Sequence, residues 1–138
     1  MSFLGDMVDY LTTAAAATGG TDLFAAEMPG TPDLCLCLYE APGMTPVKAM
    51  GNTAGAAVLE RLGLQVVARG ARQEYLDARA LAQAAFLKLD GMPKRSLNGV
   101  EYLWGSARQS PFPMGKDEDG RPLIAFNCDI HRRMSTST

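Results

Sequence analysis

The side chains with the most chemical potential in this sequence are three cysteines, Cys35, Cys37 and Cys128, and a single histidine, His131. Thiolate and imidazole are ligands that zinc favours, so the set invites a metal reading. Spacing speaks against it. On one strand, Cys128 and His131 are an odd number of residues apart and point to opposite faces, whereas a tetrahedral site needs convergent ligands. An odd number of thiols at strand-like positions reads more simply as free, buried cysteines in a reducing compartment. A catalytic triad would have to rest on His131 near the end of the sequence, and none is expected. The run Lys116, Asp117, Glu118, Asp119, Gly120, Arg121 holds three carboxylates, but it lacks the alternating ligands and the bidentate glutamate of a calcium loop. The sequence holds no phosphate-binding loop, dinucleotide fingerprint or recognisable carboxylate pair. Trp104 reads as a core or interface residue. Lys94, Arg95, Arg108, Arg132 and Arg133 are scattered, without the interleaved aromatics of a single-strand binder. The expectation is a protein that is not an enzyme, with no cofactor and no metal.

These side chains need elements to hold them, and the last third is the most informative. In Ser110-Pro111-Phe112-Pro113 each proline fixes its own φ and biases the preceding residue toward extended geometry, so no helix crosses it. A charged loop closed by Gly115 and Gly120 follows, and then Ile124, Phe126, Cys128 and Ile130 alternate along one face of a strand. Strand, rigid exposed loop over 110–122, and strand is the predicted order, and exposed loops on a rigid frame often carry binding residues. Pro111, Phe112, Pro113, Lys116, Asp117, Glu118, Asp119 and Arg121 are therefore the candidate interaction residues.

Upstream, Phe3, Leu4, Met7, Val8, Leu11, Ala14 and Ala15 recur at helical spacing, predicting an amphipathic helix from Ser2, a plausible cap, to about Ala17. Residues 23–28 read as a short edge strand. Both faces of 34–40 are apolar, as in a strand inside a sheet. Residues 41–57 are rich in Gly, Pro and small side chains and read as a long flexible loop. A half-buried strand is expected over 63–69. The second helix, about 73–89, carries Tyr75, Ala78, Ala82, Phe86 and Leu89 on one stripe, with Gly91 as its stop. Asn98-Gly99 is a type I′ turn dipeptide, so 94–98 should hairpin with 100–109. Residues 133–138 are expected to fray. The fold class is α+β, with two helices packed on a mostly antiparallel mixed sheet.

With 138 residues, 47% hydrophobic and 20% charged, the chain suits a single domain over 1–138. It shows neither the basic start of a signal peptide nor an apolar run long enough for a bilayer, so no membrane is expected. Residues 1–47 contain no Lys or Arg and carry −6, while the remainder carries +4. Such a split can be neutralised inside one fold, or it can supply complementary patches on neighbouring copies.

Several stretches together resemble the tail terminator proteins of long-tailed bacteriophages, a family also labelled minor capsid protein. They are the helix Ser2-Phe3-Leu4 through Tyr10-Leu11, Gly20-Thr21-Asp22-Leu23-Phe24, Pro32-Asp33-Leu34-Cys35 leading to Leu38-Tyr39-Glu40, and Leu64-Gln65-Val66-Val67-Ala68-Arg69-Gly70. The likeness continues through Tyr75, Ala78-Arg79-Ala80 and Leu97-Asn98-Gly99. It ends with Gln109-Ser110-Pro111-Phe112-Pro113-Met114-Gly115 and Asp117-Glu118-Asp119-Gly120-Arg121. The glycine and alanine rich 41–57 stretch departs from the family pattern. The resemblance implies a tail-terminator-like α+β subunit in a six-fold ring, a homo-hexamer, at the head-proximal end of the tail tube. Such a ring halts tube polymerisation and offers a head-tail joining surface. Its implied partners are other copies of itself, the tail tube protein and a head-completion or connector protein, with genomic DNA passing through the lumen without specific binding. The implied location is the neck of a virion, after synthesis in the bacterial host cytoplasm. Alternatives are another neck component, a head-completion or connector protein, or a small metal- or nucleic-acid-binding α+β module.

Overall fold

The structure is a computed structural model that describes residues 2–14, 16–47 and 59–133. In chain order the elements are α1 (Phe3–Thr13), β1 (Leu23–Ala25), β2 (Cys35–Val47), β3 (Leu59–Arg69), α2 (Tyr75–Leu89), β4 (Arg95–Leu97), β5 (Val100–Ala107), β6 (Phe112–Lys116) and β7 (Pro122–Arg133).

The alternating run near the end of the sequence becomes β7, and it is central. Its Ile124, Phe126, Cys128 and Ile130 are all fully buried on one face. One edge of β7 pairs with β3 along its length, from Leu59 opposite Arg133 to Arg69 opposite Leu123. The other edge is shared: β5 pairs with residues 128–132 and β6 with 122–125, so β5 and β6 lie end to end. The sheet runs β1-β2-β3-β7-β5-β4, with β6 beside β7. Among the described strands β1 and β2 pair in parallel, and the other strand pairings are antiparallel. The fold is α+β with a mixed, mostly antiparallel sheet.

Both helices cover the same face. Ser2 caps α1, its Oγ accepting from the Gly5 N–H at 3.0 Å. Phe3, Met7 and Leu11 then enter one core with Leu36, Leu38, Leu64, Val66 and the buried face of β7. The helix ends at Thr13 rather than Ala17, because the Thr12 hydroxyl accepts from the Gly19 N–H and draws the chain back. In α2 the buried stripe is Ala78, Ala82, Ala85 and Leu89. Small side chains let the helix lie close to the sheet, and Phe86 meets Phe126 edge-on at 5.6 Å. Tyr75, expected on this stripe, opens the helix and is 40% exposed.

Two predicted loops are partly strand. Residues 41–47, read as part of a flexible loop, extend β2, where register shifts beyond Ala41 and Met44 absorb the prolines and Gly43. The rest of that stretch, 48–57, lies outside the described residues. In the 110–122 segment, Phe112–Lys116 is β6, and only 117–121 turns. Pro113 is tolerated there because β6 is an edge strand. Of the predicted frayed end, Arg133 closes β7, and 134–138 lie outside the described residues. The Asn98-Gly99 hairpin forms as expected, both residues having positive φ and Leu97 pairing with Val100.

One buried charge ties these parts together. Asp6 on α1 is fully buried. Its carboxylate accepts from the Tyr102 hydroxyl on β5 at 2.5 Å and from Asn98 Nδ2 in the β4–β5 turn at 2.7 Å. Burial, and then this bond to Asp6, push the Tyr102 hydroxyl pKa up. Arg132 on β7 reaches the same hydroxyl at 3.4 Å and pairs with Glu60 on β3 at 2.8 Å. Removing a partner of a buried hydrogen-bonded group strands the others in a dry site. Asp6→Ala is expected to cost about 2–3 kcal/mol, read as a lower urea midpoint at unchanged m-value, whereas Asp9→Ala, at the partly exposed edge of the same contact, should cost far less.

Candidate assembly interface

The β6–β7 turn is built around Asp117. Its Oδ1 accepts from the N–H groups of Asp119 and Arg121 at 3.0 and 2.9 Å, and the backbone closes with Gly120 N–H to Asp117 C=O at 3.0 Å. Gly120 takes φ +78°, the left-handed conformation that a short hairpin loop needs. Desolvation works against the Asp117 charge, but these N–H donors and the Arg121 guanidinium hold its carboxyl below the ordinary range. Arg121 is the hub: it contacts Asp117 at 2.8 Å, Asp119 at 3.1 Å and Asp33 at 3.2 Å, and donates to Gly30 C=O at 2.8 Å. Arg69, itself buried, donates to the carbonyls of Pro32 and Asp33 at 2.7 and 3.1 Å. The two arginines therefore strap residues 30–33 to the hairpin tip and to the sheet face opposite the helices.

The predicted interaction residues divide. Lys116, Glu118 and Asp119 are exposed, and Asp117 and Arg121 are half-buried within the turn. Pro113 is exposed and, with Gly115, Lys116 and Pro122 from the hairpin and Gln73 and Tyr75 from the start of α2, lines a groove of about 310 Å³. Pro111 is buried and Phe112 half-buried, facing Ala125 on the other side of the sheet. Those two are packing residues rather than exposed contacts, because β6 is held in the sheet. Met114, at a register shift between Pro113 and Gly115, is 46% exposed. Leu76 and Leu87, on the outer side of α2, are 78% and 65% exposed. Sequence reasoning passed over these last three, although Leu76 and Leu87 fall off the predicted stripe and mark a second apolar side of the helix.

On the face opposite the helices, Met44, Arg61, His131 and Trp104 are successive register partners across β2, β3, β7 and β5. Trp104 is 46% exposed, so it is not a core residue, and it stacks on His131 with centroids 4.1 Å apart. Asp129 and Arg108 form a bidentate pair beside them, with contacts from 2.6 to 3.1 Å. Cys35, Cys37 and Cys128 are free and buried. Cys128 lies in the helix-side core, its thiol pushed up to about 12 by burial, while His131 is on the other face. Among the described residues no cluster of His, Cys, Asp or Glu is placed to hold a metal ion, and no described helix is long and apolar enough to cross a membrane.

The acids of residues 1–47 do not gather into one patch. Asp6 is buried, Asp9 accepts from Asn98, Asp22 accepts from the Thr18 N–H at 2.6 Å, and Asp33 meets Arg121. What this arrangement offers chemically is surface: a preformed charged tip, an apolar groove beside it and, on the other face, a cross-strand row with Met44 and Trp104 exposed at its ends. A family model for bacteriophage tail terminator proteins matches residues 10–133. The chain belongs to that family. It is thus a structural protein of the bacteriophage tail, located in the virion. Solved structures share the fold of this tail terminator family member. One, from the virion of a native gene transfer agent (GTA) particle, aligns with a TM-score of 0.64 at 12% identity over 96% of each chain. A second has a TM-score of 0.61 at 15% identity, covering 97% of this chain and 94% of the other. No curated protein matches the sequence.

Two outcomes follow from this geometry. Arg121→Ala should leave the global melting temperature little changed but speed cleavage by a nonspecific protease within 30–33 and 117–121, since both segments lose their shared anchor. Burial, opposed by Asp129 and reinforced by Arg61, lowers the His131 pKa below its ordinary value. The unfolded chain then binds the proton more readily, so stability should fall as pH drops below about 6.5 and level off once the native histidine titrates. Urea melts between pH 7 and 5, followed by Trp104 fluorescence, read this directly; His131→Gln should flatten that part of the profile.

Proposed function

We propose that this tail terminator family member forms a ring, a homo-hexamer, on the head-proximal end of the phage tail tube. There it stops tube polymerisation and presents the surface that joins tail to head. Family membership over residues 10–133 carries this reading. The reading places the protein at the neck of the virion, between the tail tube protein below and a head-completion or connector protein above. It acts by contact rather than by catalysis, in keeping with arginines and carboxylates engaged in structural pairs across the hairpin tip and sheet. A ring needs an interface in which each copy donates one surface and receives on another. Genomic DNA would thread the lumen without specific binding, which favours a lumen poor in unpaired Lys and Arg, because dense cationic linings grip phosphate. Particles assembled without this protein, imaged by electron microscopy, are expected to carry tubes of uncontrolled length and to leave tails unjoined to heads. Tails of normal length that still join heads would overturn the proposal.

A further inference from the structure

Most exposed large apolar side chains among the described residues form two groups. Tyr75 lines the groove between the start of α2 and β6, Met114 falls in sequence between the lining residues Pro113 and Gly115, and the exposed Leu76 and Leu87, eleven residues apart, share one side of α2. Met44 and Trp104 sit at the two ends of the cross-strand row on the opposite face of the sheet.

The charges beside the two groups differ in sign. Next to the groove, the hairpin tip gathers three carboxylates, Asp33, Asp117 and Asp119, on the guanidinium of Arg121, with Glu118 also exposed; against these four acids stand Arg121, Lys116 and Arg72, whose side chain lies against Gly120. The tip is therefore net negative. Beside Trp104 the ratio is reversed: Lys94 and Arg133 share the single carboxylate of Glu101, at 3.8 and 2.9 Å. The side chains of Lys94 and Arg133 are 63% and 59% exposed. Asp129, also on this face, is already taken by Arg108. Each group thus has an apolar centre and a charged rim, the usual anatomy of a protein–protein contact.

Neither group suits a contact with its own kind, because like-charged rims would meet. Each suits the other. We infer that the groove flanked by Tyr75, Leu76, Met114 and the acidic tip receives the Trp104 and Met44 face, with its Lys94 and Arg133 rim, of a second copy of this chain. The contact is heterologous, so every copy keeps one free surface of each kind, and repetition closes a ring or extends a filament. The inference rests on the proposed ring and names its two surfaces. The tip arrives already ordered by Arg121 and Asp117, which lowers the entropy lost on docking.

Charge reversal tests it. One variant carries Glu118→Lys with Asp119→Lys, the other Lys94→Glu with Arg133→Glu. Alone, each presents two surfaces of one sign, and its self-association, measured by light scattering, should weaken about tenfold or more. Mixed in equal amounts, the two are complementary at both surfaces, and association should return. A second measurement captures weak contacts: Met114→Cys in one copy and Trp104→Cys in another should give a mixed disulfide dimer on mild oxidation, in excess of either homodimer, since the native cysteines are buried. Oligomers of the unmodified protein that are insensitive to both reversals, with no mixed disulfide, would overturn these surfaces while leaving the ring intact. Monomers throughout, with neither rescue on mixing nor a mixed disulfide, overturn the inference as well, and the ring then stands or falls on the virion images. Homodimers of Met114→Cys in excess would point to a symmetric contact and overturn it too.

Discussion

The structure depends on β7 being paired on both edges. Eleven register pairs join it to β3, from Leu59 opposite Arg133 to Arg69 opposite Leu123. Its other edge is divided between β5 and β6. Because side chains alternate along a strand, this fixes two surfaces at once. Ile124, Phe126, Cys128 and Ile130 are committed to the helices, and Ala125, Asn127, Asp129 and His131 to the other face. A one-residue slip would exchange the sets, placing Asp129 and His131 under α2 and stranding charge in the core. Register is thus specified by the cost of the alternative as much as by the burial it achieves.

The polar interactions that look expendable act at the joints between elements. Asp6 connects α1 to the β4–β5 turn and to β5 through Asn98 and Tyr102. Tyr10 OH reaches the Lys88 carbonyl at 2.8 Å and so links the two helices. Arg69 and Arg121 hold residues 30–33, which have no regular secondary structure of their own. These bonds lie where hydrophobic burial specifies proximity but not orientation, and directional contacts supply what the core leaves undetermined.

Periodicity made the core legible. The alternation in β7, the Asn98-Gly99 hairpin and the Ala78, Ala82, Leu89 stripe could all be read from residue type and spacing, because each reflects a local rule. What misled was composition. Gly43, Pro42 and Pro46 made 41–57 look like loop, and Pro111 with Pro113 made 110–122 look like loop, yet 41–47 and 112–116 pair in the sheet through register shifts. Proline at an edge and glycine at a bulge suit a strand that a long partner already holds, and that partner is distant in sequence. The strap formed by Arg69, Arg121 and Asp33 was invisible for the same reason: Arg121 and Asp33 are separated by 88 positions. Family resemblance, by contrast, was legible because it rests on the order of many weak signals rather than on any one site.

The apolar side chains left at the surface follow from how little of α2 the core uses. The core needs only one face of α2, and Ala78, Ala82, Ala85 and Leu89 occupy it, so Leu76 and Leu87, 78% and 65% exposed, add little to packing within the subunit. Trp104 likewise stacks on His131 but leaves nearly half its surface in water. Exposed singly, such residues are ordinary on a protein surface; gathered beside a charged rim they form the kind of patch a second surface covers. Their cost is tolerable if another surface covers them. In the contact inferred above, a charged tip held rigid beside one group and a cationic rim beside the other would make that covering directional, which is the property that distinguishes ordered assembly from nonspecific adhesion.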